Sequence, residues 1–181
     1  PGLNANAVAE LTISKMLDIS RGTMTANTDV KVKHEWDKYK FVGRELRGKT
    51  LGVMGFGRIG RRVGELGRAF GMTVVAYDPF LKAEDFEKEH ATGMSIDELL
   101  KAADFVSIHV PLTPETKDLF NAKSIAEMKD DAVVLNMSRG GIVNEKDMYE
   151  ALKAGKIGGY ATDVMENELA GSGLTGNDTF A

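Results

Sequence analysis

Three features of the 181-residue chain predict an α/β fold in which a doubly wound parallel sheet carries helices on both faces. Short apolar runs alternate with amphipathic segments between Lys49 and Asp163. The loops between them are short, so successive strands pair in parallel through crossovers, and right-handed crossovers place helices on both sides. A glycine turn, Gly55-Phe56-Gly57-Arg58-Ile59-Gly60, joins the first apolar run (Leu51, Val53, Met54) to an amphipathic run with Ile59, Val63, Leu66 and Phe70 at spacings of four, three and four.

Leu3 to Arg21 is predicted as a helix. Its Val8, Leu11, Ile13, Met16, Leu17 and Ile19 cover more of the circumference than one narrow stripe, which suits burial on two sides: by its own domain alone, or by its domain and a subunit interface. Thr23 to Arg47 scatters Trp36, Tyr39 and Phe41 among charges without a regular period and reads as a long connecting arm whose aromatics lie against something. Residues 1–22 are thus an opening helix, 23–47 a connecting and dimerisation arm, and 48–181 the core. After the first strand and helix, Met72 to Tyr77 is a second strand that ends at Asp78. Ser95 to Glu98 fits a capping box that opens a helix through Leu100, and Phe105 to Val110 is a third strand, stopped by Pro111 and Pro114. Asn121 caps the next helix, Ala132 to Asn136 is a fourth strand, Asn144 to Ala154 is a helix stopped by Gly155, and Tyr160 to Asp163 is a fifth strand.

Each glycine of the turn has its own mechanical reason. Gly55 permits the sharp bend, Gly57 lets the backbone approach a pyrophosphate without a Cβ in the way, and Gly60 lets the helix pack closely on the strand. The helix N-terminus then offers unpaired N–H groups and a partial positive charge to the phosphates. Asp78, eighteen residues after Gly60, falls at the tip of the next strand, where a carboxylate accepts both hydroxyls of an adenosine ribose and repels a 2′-phosphate. The pattern predicts a dinucleotide site of the Rossmann kind that favours NAD over NADP. Ligands of such sheets bind beyond the carboxyl ends of the strands, which directs attention to Gly55 to Ile59, Asp78, Val110 to Thr116, Asn136 to Gly140 and Asp163 to Glu168.

Composition narrows the classes. With 43% hydrophobic and 28% charged residues the chain reads as one soluble globular domain. A formal charge of -4 and basic clusters broken by acidic and apolar residues argue against nucleic acid as a partner. The absence of cysteine rules out a disulfide framework, a thiolate nucleophile and a Cys-based metal site, no metal is expected, and a reducing cytoplasm is compatible. No apolar run reaches the length of a membrane span, so no membrane partner is expected. The chain starts without methionine and stops in a polar, Gly-rich segment, which reads as a piece of a longer protein.

The strand-end segments together resemble the NAD-binding domain of the D-isomer-specific 2-hydroxyacid dehydrogenases, a family that includes phosphoglycerate dehydrogenase and the glyoxylate/hydroxypyruvate reductases. The segments Asn4 to Glu10, Gly43 to Gly52 and His109 to Thr116 resemble its opening helix, its lead into the glycine turn and its adenine-side loop. Asn136-Met137-Ser138-Arg139-Gly140-Gly141-Ile142-Val143-Asn144-Glu145 is the most specific match, and Asp163-Val164-Met165-Glu166-Asn167-Glu168 resembles the family's Asp-Val-Phe-x-x-Glu-Pro signature, with Leu169 in place of the usual proline. The resemblance implies that Arg139 grips a substrate carboxylate and polarises the adjacent carbonyl, and that Glu168 hydrogen-bonds a histidine acting as acid and base. It implies that Arg58 and Ile59 contact the pyrophosphate, Asp78 the ribose, Val110 and Pro111 the adenosine side, Met137 and Arg139 the nicotinamide half, and Asp163 its carboxamide, with Thr116 a further cofactor contact. The family's catalytic histidine and its substrate domain are expected to lie outside this chain, and His34, His90 and His109 are read as non-catalytic.

The leading expectation is therefore the cofactor domain of an oxidoreductase that moves a hydride between NAD and a small D-2-hydroxy or 2-keto acid, inactive by itself and homodimeric. A nucleotide-sensing corepressor on the same scaffold, working through protein partners, is the alternative. Formate or phosphite oxidation is a third, because an arginine holds those anions too.

Overall fold

The computed structural model describes residues 4–166. Its helices are α1 (Ala5–Arg21), α2 (Thr23–Thr28), α3 (Arg58–Ala69), α4 (Ala83–Lys88), α5 (Ile96–Ala102), α6 (Ala122–Glu127) and α7 (Glu145–Lys153). The strands are β1 (Thr50–Met54), β2 (Thr73–Tyr77), β3 (Thr92–Gly93), β4 (Phe105–Ile108), β5 (Ala132–Asn136) and β6 (Ile157–Thr162), paired in parallel in the order β3-β2-β1-β4-β5-β6. The order reverses between β1 and β4, which is where such a sheet opens a crevice at its carboxyl end.

Alternate residues of each strand feed two separate cores, as a sheet covered on both faces requires. Leu51, Val53, Phe105, Val133 and Leu135 pack with Ala9, Ile13 and Met16 of α1 and Val63 of α3. Met54, Val106, Ile108 and Val134 pack on the other face with Leu99 and Leu100 of α5, Ile125 of α6 and Met148 of α7. The wide apolar coverage of α1 is used within the chain: Ala9, Thr12, Ile13, Met16 and Ser20 are buried, and Val8, Leu11, Leu17 and Ile19 lean on the same core. Gly22, at φ 59°, ends this helix by donating its N–H to the Asp18 carbonyl.

The predicted caps are present. The Ser95 hydroxyl (2.7 Å) and N–H (2.9 Å) both donate to the Glu98 carboxylate and hold its carboxyl below the usual carboxylate range, while the hydroxyl oxygen accepts the Glu98 N–H (3.3 Å). Asn121 caps α6 and Asn144 caps α7 through side-chain oxygens.

Four expectations need correction. The arm is not irregular throughout: α2 and a wider π turn, Asp29–Lys33, occupy nearly the first half of it. The buried Asp29 carboxylate draws this turn together by pairing with Lys33 (2.9 Å) and Lys40 (2.5 Å). Trp36 (81% exposed) and Tyr39 (75%) stay exposed among the described residues, the Tyr39 ring met by the Lys38 ammonium at 5.0 Å from its centre. The sheet has six strands rather than five, because the two-residue β3 and the short α4, each too brief to show a period, intervene after β2. Finally, β4 stops at Ile108 and β6 begins at Ile157. Gly158 and Gly159 hide that strand's start in the sequence, and the missing side chain at Gly159 is replaced by Ile19 of α1, whose Cγ2 sits 2.6 Å from where a Cβ would be.

One polar element lies inside the first core. Ser107 of β4 is fully buried, and its hydroxyl pairs with Nε2 of His109, two residues on along the same face (2.7 Å). The His109 Nδ1 is buried without a partner, and desolvation lowers the imidazole pKa to about 4. Because the folded state disfavours the proton that the unfolded chain takes up near pH 6.5, stability is complete above that pH and is lost as pH falls from 6.5 toward 4. The expected loss is on the order of 2 kcal/mol, allowing for the partial water access of the ring. Urea unfolding at pH 7.5 and pH 5 should show this drop in the wild type and a flatter profile in His109→Gln; equal slopes for the two proteins would exclude His109 as its source.

Candidate functional site

The glycine turn is built from backbone contacts. Gly55, at φ 87°, donates its N–H to the Tyr77 carbonyl of β2 (2.8 Å), and a Cβ there would sit 2.7 Å from the His109 carbonyl oxygen. A Cβ at Gly60 would overlap the Gly55 carbonyl oxygen, so α3 seats directly on the turn. Gly57 differs from both: its φ is −76° and nothing lies within 4 Å of the position its Cβ would take. The open space over Gly57, at the head of a 12-residue helix with no side-chain cap, fits a dinucleotide pyrophosphate.

Asp78 stands half-buried beside this turn at the tip of β2. One carboxylate oxygen accepts the Phe56 N–H (2.9 Å) and the other the Phe80 N–H (3.0 Å). Each oxygen keeps a lone pair for a hydroxyl, and the carboxylate is oriented before any ligand arrives.

Where β1, β4 and β5 end together, a cleft of 290 Å³ is lined by Ile59, His109, Val110, Pro111, Met137, Ser138 and Arg139. The fold thus brings five of the candidate residues, Ile59, Val110, Pro111, Met137 and Arg139, around one space, with the glycine turn leading into it. Arg58 is exposed at the first position of α3. Arg139 is exposed, with Nη1 donating to the Ser138 carbonyl (2.7 Å), and no acidic side chain pairs with it among the described residues. Its turn is anchored below. The Ser138 hydroxyl donates to the Val110 carbonyl, and the Asn136 amide holds both the Ser138 N–H (3.2 Å) and the Arg139 carbonyl (3.0 Å).

Asp163 follows β6 with its N–H on the Asn136 carbonyl (3.1 Å) and its side chain exposed, beside the cleft and not among its lining residues. A reciprocal pair of bonds docks the loop after it onto the start of α7: the Glu145 N–H donates to the Glu166 carboxylate (3.1 Å) and the Glu166 N–H to that of Glu145 (2.9 Å). A side chain at Gly140 would collide with the Met165 carbonyl, so this loop closes directly over the arginine turn. The hydroxyl of Thr116 is engaged within its own loop, donating to the Pro111 carbonyl (2.6 Å) and accepting the Thr113 N–H (2.8 Å), and Thr116 does not line the cleft. Glu168 lies outside the described residues.

Sequence reasoning did not single out Asn136, Ser138 or His109 as site residues. A signal existed for the first: an asparagine closing the apolar run Ala132-Val133-Val134-Leu135 has no reason in a dry strand end unless its amide has partners. Among the described residues no group of His, Cys, Asp and Glu is arranged to hold a metal ion, and no helix is long and apolar enough to cross a membrane.

Comparison with known proteins agrees with this geometry. Residues 13–178 match the model of a family described as D-isomer specific 2-hydroxyacid dehydrogenase, NAD binding domain. The chain is 46% identical over 169 residues to a D-3-phosphoglycerate dehydrogenase of Methanocaldococcus jannaschii, covering 93% of this chain and 32% of that protein. It is 42% identical over 168 residues to a hydroxypyruvate reductase of Thermotoga maritima, covering 93% of this chain and 54% of the relative. Among solved structures, a D-lactate dehydrogenase of Aquifex aeolicus complexed with NAD and lactic acid superimposes with a TM-score of 0.84 at 39% identity, over 90% of this chain and 49% of that one. The chain therefore spans about a third to a half of the length of these relatives. Their names are those of enzymes and lend the corepressor alternative no support. From the glycine turn through the arginine loop, and over most of its sequence, the chain belongs to the D-isomer specific 2-hydroxyacid dehydrogenase family, as its NAD-binding domain.

Proposed function

We propose that the whole protein is an NAD-dependent oxidoreductase acting on a small D-2-hydroxy or 2-keto acid, of the phosphoglycerate or glyoxylate/hydroxypyruvate type, and that this chain holds its cofactor and its carboxylate-binding arginine. The observation that supports the reading most is the cleft shared by Arg139, Ile59 at the head of α3, Val110, Pro111 and Met137.

In this reading the N–H groups at Gly57 to Gly60 receive the pyrophosphate, assisted by Arg58 and Ile59, and Asp78 receives the adenosine ribose. Val110 and Pro111 flank the adenosine side, Met137 and Asp163 the nicotinamide half, and Thr116 contributes by shaping the loop that carries Pro111. Bound NAD supplies the hydride donor or acceptor. Arg139 grips the substrate carboxylate with two parallel donors and draws electron density from the neighbouring carbonyl oxygen as negative charge builds there. Glu168 orients an imidazole contributed elsewhere in the whole protein and favours its protonated form, so that a ring nitrogen holds the proton exchanged with the substrate oxygen.

Residues 1–22 and 23–47 serve in addition as a homodimer surface, a reading that the exposed Val32, Trp36, Tyr39 and Val42 support for the arm alone, while 48–181 form the cofactor core. A cytoplasmic location accords with the absence of cysteine.

Four measurements test these assignments. Gly57→Ala should leave thermal stability within about 0.5 kcal/mol of wild type and weaken NAD binding in calorimetry, whereas Gly60→Ala, which has no space for its methyl group, should unfold at lower temperature. Unimpaired NAD binding by Gly57→Ala would move the pyrophosphate elsewhere. Asp78→Ala should weaken NAD while improving NADP relative to it; an equal loss of both would remove Asp78 from the ribose. The whole protein should oxidise NADH with hydroxypyruvate, glyoxylate or 3-phosphohydroxypyruvate, and Arg139→Gln should lower kcat/KM by about a hundredfold or more. Absence of turnover with any 2-keto acid would defeat the enzymatic reading. Light scattering should give a dimer that Trp36→Asp and Tyr39→Asp together dissociate, and a wild-type monomer at high concentration would remove the proposed interface.

A further inference from the structure

We infer that Asn136 is a positioning residue for the reaction, setting Arg139 through its side-chain amide and Asp163 through its main-chain carbonyl. The inference rests on the reading of Arg139 as the residue that grips the substrate carboxylate.

Asn136 is the last residue of β5 and is 1% exposed. Its Nδ2 donates to the Arg139 carbonyl (3.0 Å) and its Oδ1 accepts the Ser138 N–H (3.2 Å), so one amide closes the turn on which the guanidinium is mounted. Its carbonyl oxygen accepts the Asp163 N–H (3.1 Å) and the Thr162 hydroxyl (3.3 Å), which fixes where the chain leaves β6. Two loops, that of Arg139 in the cleft and that of Asp163 beside it, are therefore referenced to one buried residue. The Ser138 hydroxyl on the Val110 carbonyl adds the β4 loop to the same frame.

The chemistry selects asparagine. The position requires one donor and one acceptor, separated by the width of an amide, on a side chain with few torsions, in a place that water does not reach. Aspartate keeps the acceptor but turns a second oxygen toward the Arg139 carbonyl. Serine offers one group for two partners, and leucine leaves both backbone groups unpaired at the end of a dry sheet. Arg139 itself is exposed, and the bonds that fix the backbone of its turn come from Asn136 and Ser138. A displacement of about 1 Å at such a mount is enough to cost on the order of a hundredfold in rate.

A residue that only ended the strand would affect stability. A positioning residue affects substrate use, and only while Arg139 is present to be positioned. The test is a double-mutant cycle in the whole protein with Asn136→Ser, Arg139→Gln and their combination, read by steady-state kinetics on whichever of hydroxypyruvate, glyoxylate or 3-phosphohydroxypyruvate the wild type reduces, and by fluorescence titration of NADH. Asn136→Ser should raise KM for the keto acid by about tenfold or more, while NADH affinity stays within about twofold because the main-chain bond to Asp163 survives. In the Arg139→Gln background the same substitution should change kcat/KM by less than about twofold. Asn136→Asp, which keeps the volume, provides the same readout if the serine variant does not fold. A lowered melting temperature with unchanged KM, or losses that multiply independently in the double variant, would overturn the inference alone. Unchanged kinetics for Arg139→Gln would overturn the role of Arg139 and this inference with it.

Discussion

The site depends first on how closely two stretches of backbone approach each other at the carboxyl end of the sheet. Beyond β1 the chain turns toward β2, and beyond β4 it runs toward β5, so the two strand ends diverge and leave a crevice between them. The depth of that crevice is set by Gly55, which lies against the His109 carbonyl at a distance no side chain would allow, and by Gly60, which rests on Gly55 itself. Both contacts draw the head of α3 to the floor of the crevice, where its free N–H groups face outward. Asp78 then ties the tip of β2 to the same turn through the Phe56 N–H, so the carboxylate and the helix end keep a fixed relation.

A second constraint concerns polar groups at the dry end of the sheet. Strands buried on both faces are nearly all apolar, and each polar side chain admitted there must find its partners inside the protein. Ser107 and Asn136 meet this in different ways. Ser107 satisfies itself with the ring nitrogen of His109 and leaves Nδ1 without a bond, a local strain on stability. Asn136 is satisfied at both ends of its amide, and the half-buried Tyr160 phenol, pushed up by burial, stands beside it. Fully bonded polar groups hold a single geometry, so the loops that leave β5 and β6 inherit definite directions.

Much of this was legible in the sequence because the period and the punctuation agree. The alternation of apolar runs and amphipathic segments located β1, β2, β4 and β5 with their helices, and Ser95, Asn121 and Asn144 marked helix starts that the structure confirms by hydrogen bond. What escaped has a common physical cause: the information lay in contacts between distant segments. The start of β6 reads as a glycine pair until Ile19 of α1 is seen to fill the gap. The π turn depends on Lys40, eleven residues beyond the Asp29 it pairs with. In the site, the glycines, Asp78 and five of the seven residues lining the cleft were readable from spacing and resemblance, whereas the places of His109 and Ser138, the inward engagement of Thr116 and the bonds beneath Arg139 arise only once the loops fold over one another.

The arm would enter the proposed homodimer already ordered. A carboxylate on a side chain that is 4% exposed is tolerable only if its charge is matched, and the Lys40 and Lys33 ammonium groups beside Asp29 hold its carboxyl below the usual carboxylate range. The Lys33 pair closes the π turn on itself and the Lys40 pair fastens the segment after the turn to it, which gives Trp36, between the two lysines in sequence, a chain anchored on both sides. An aromatic presented on a segment already fixed in this way loses less conformational freedom when a partner covers it than one on a free linker, so more of its apolar area is converted into affinity. In the proposed homodimer the burial of one acid in the arm and the exposure of its aromatics would be parts of a single arrangement, the first lowering the cost of covering the second.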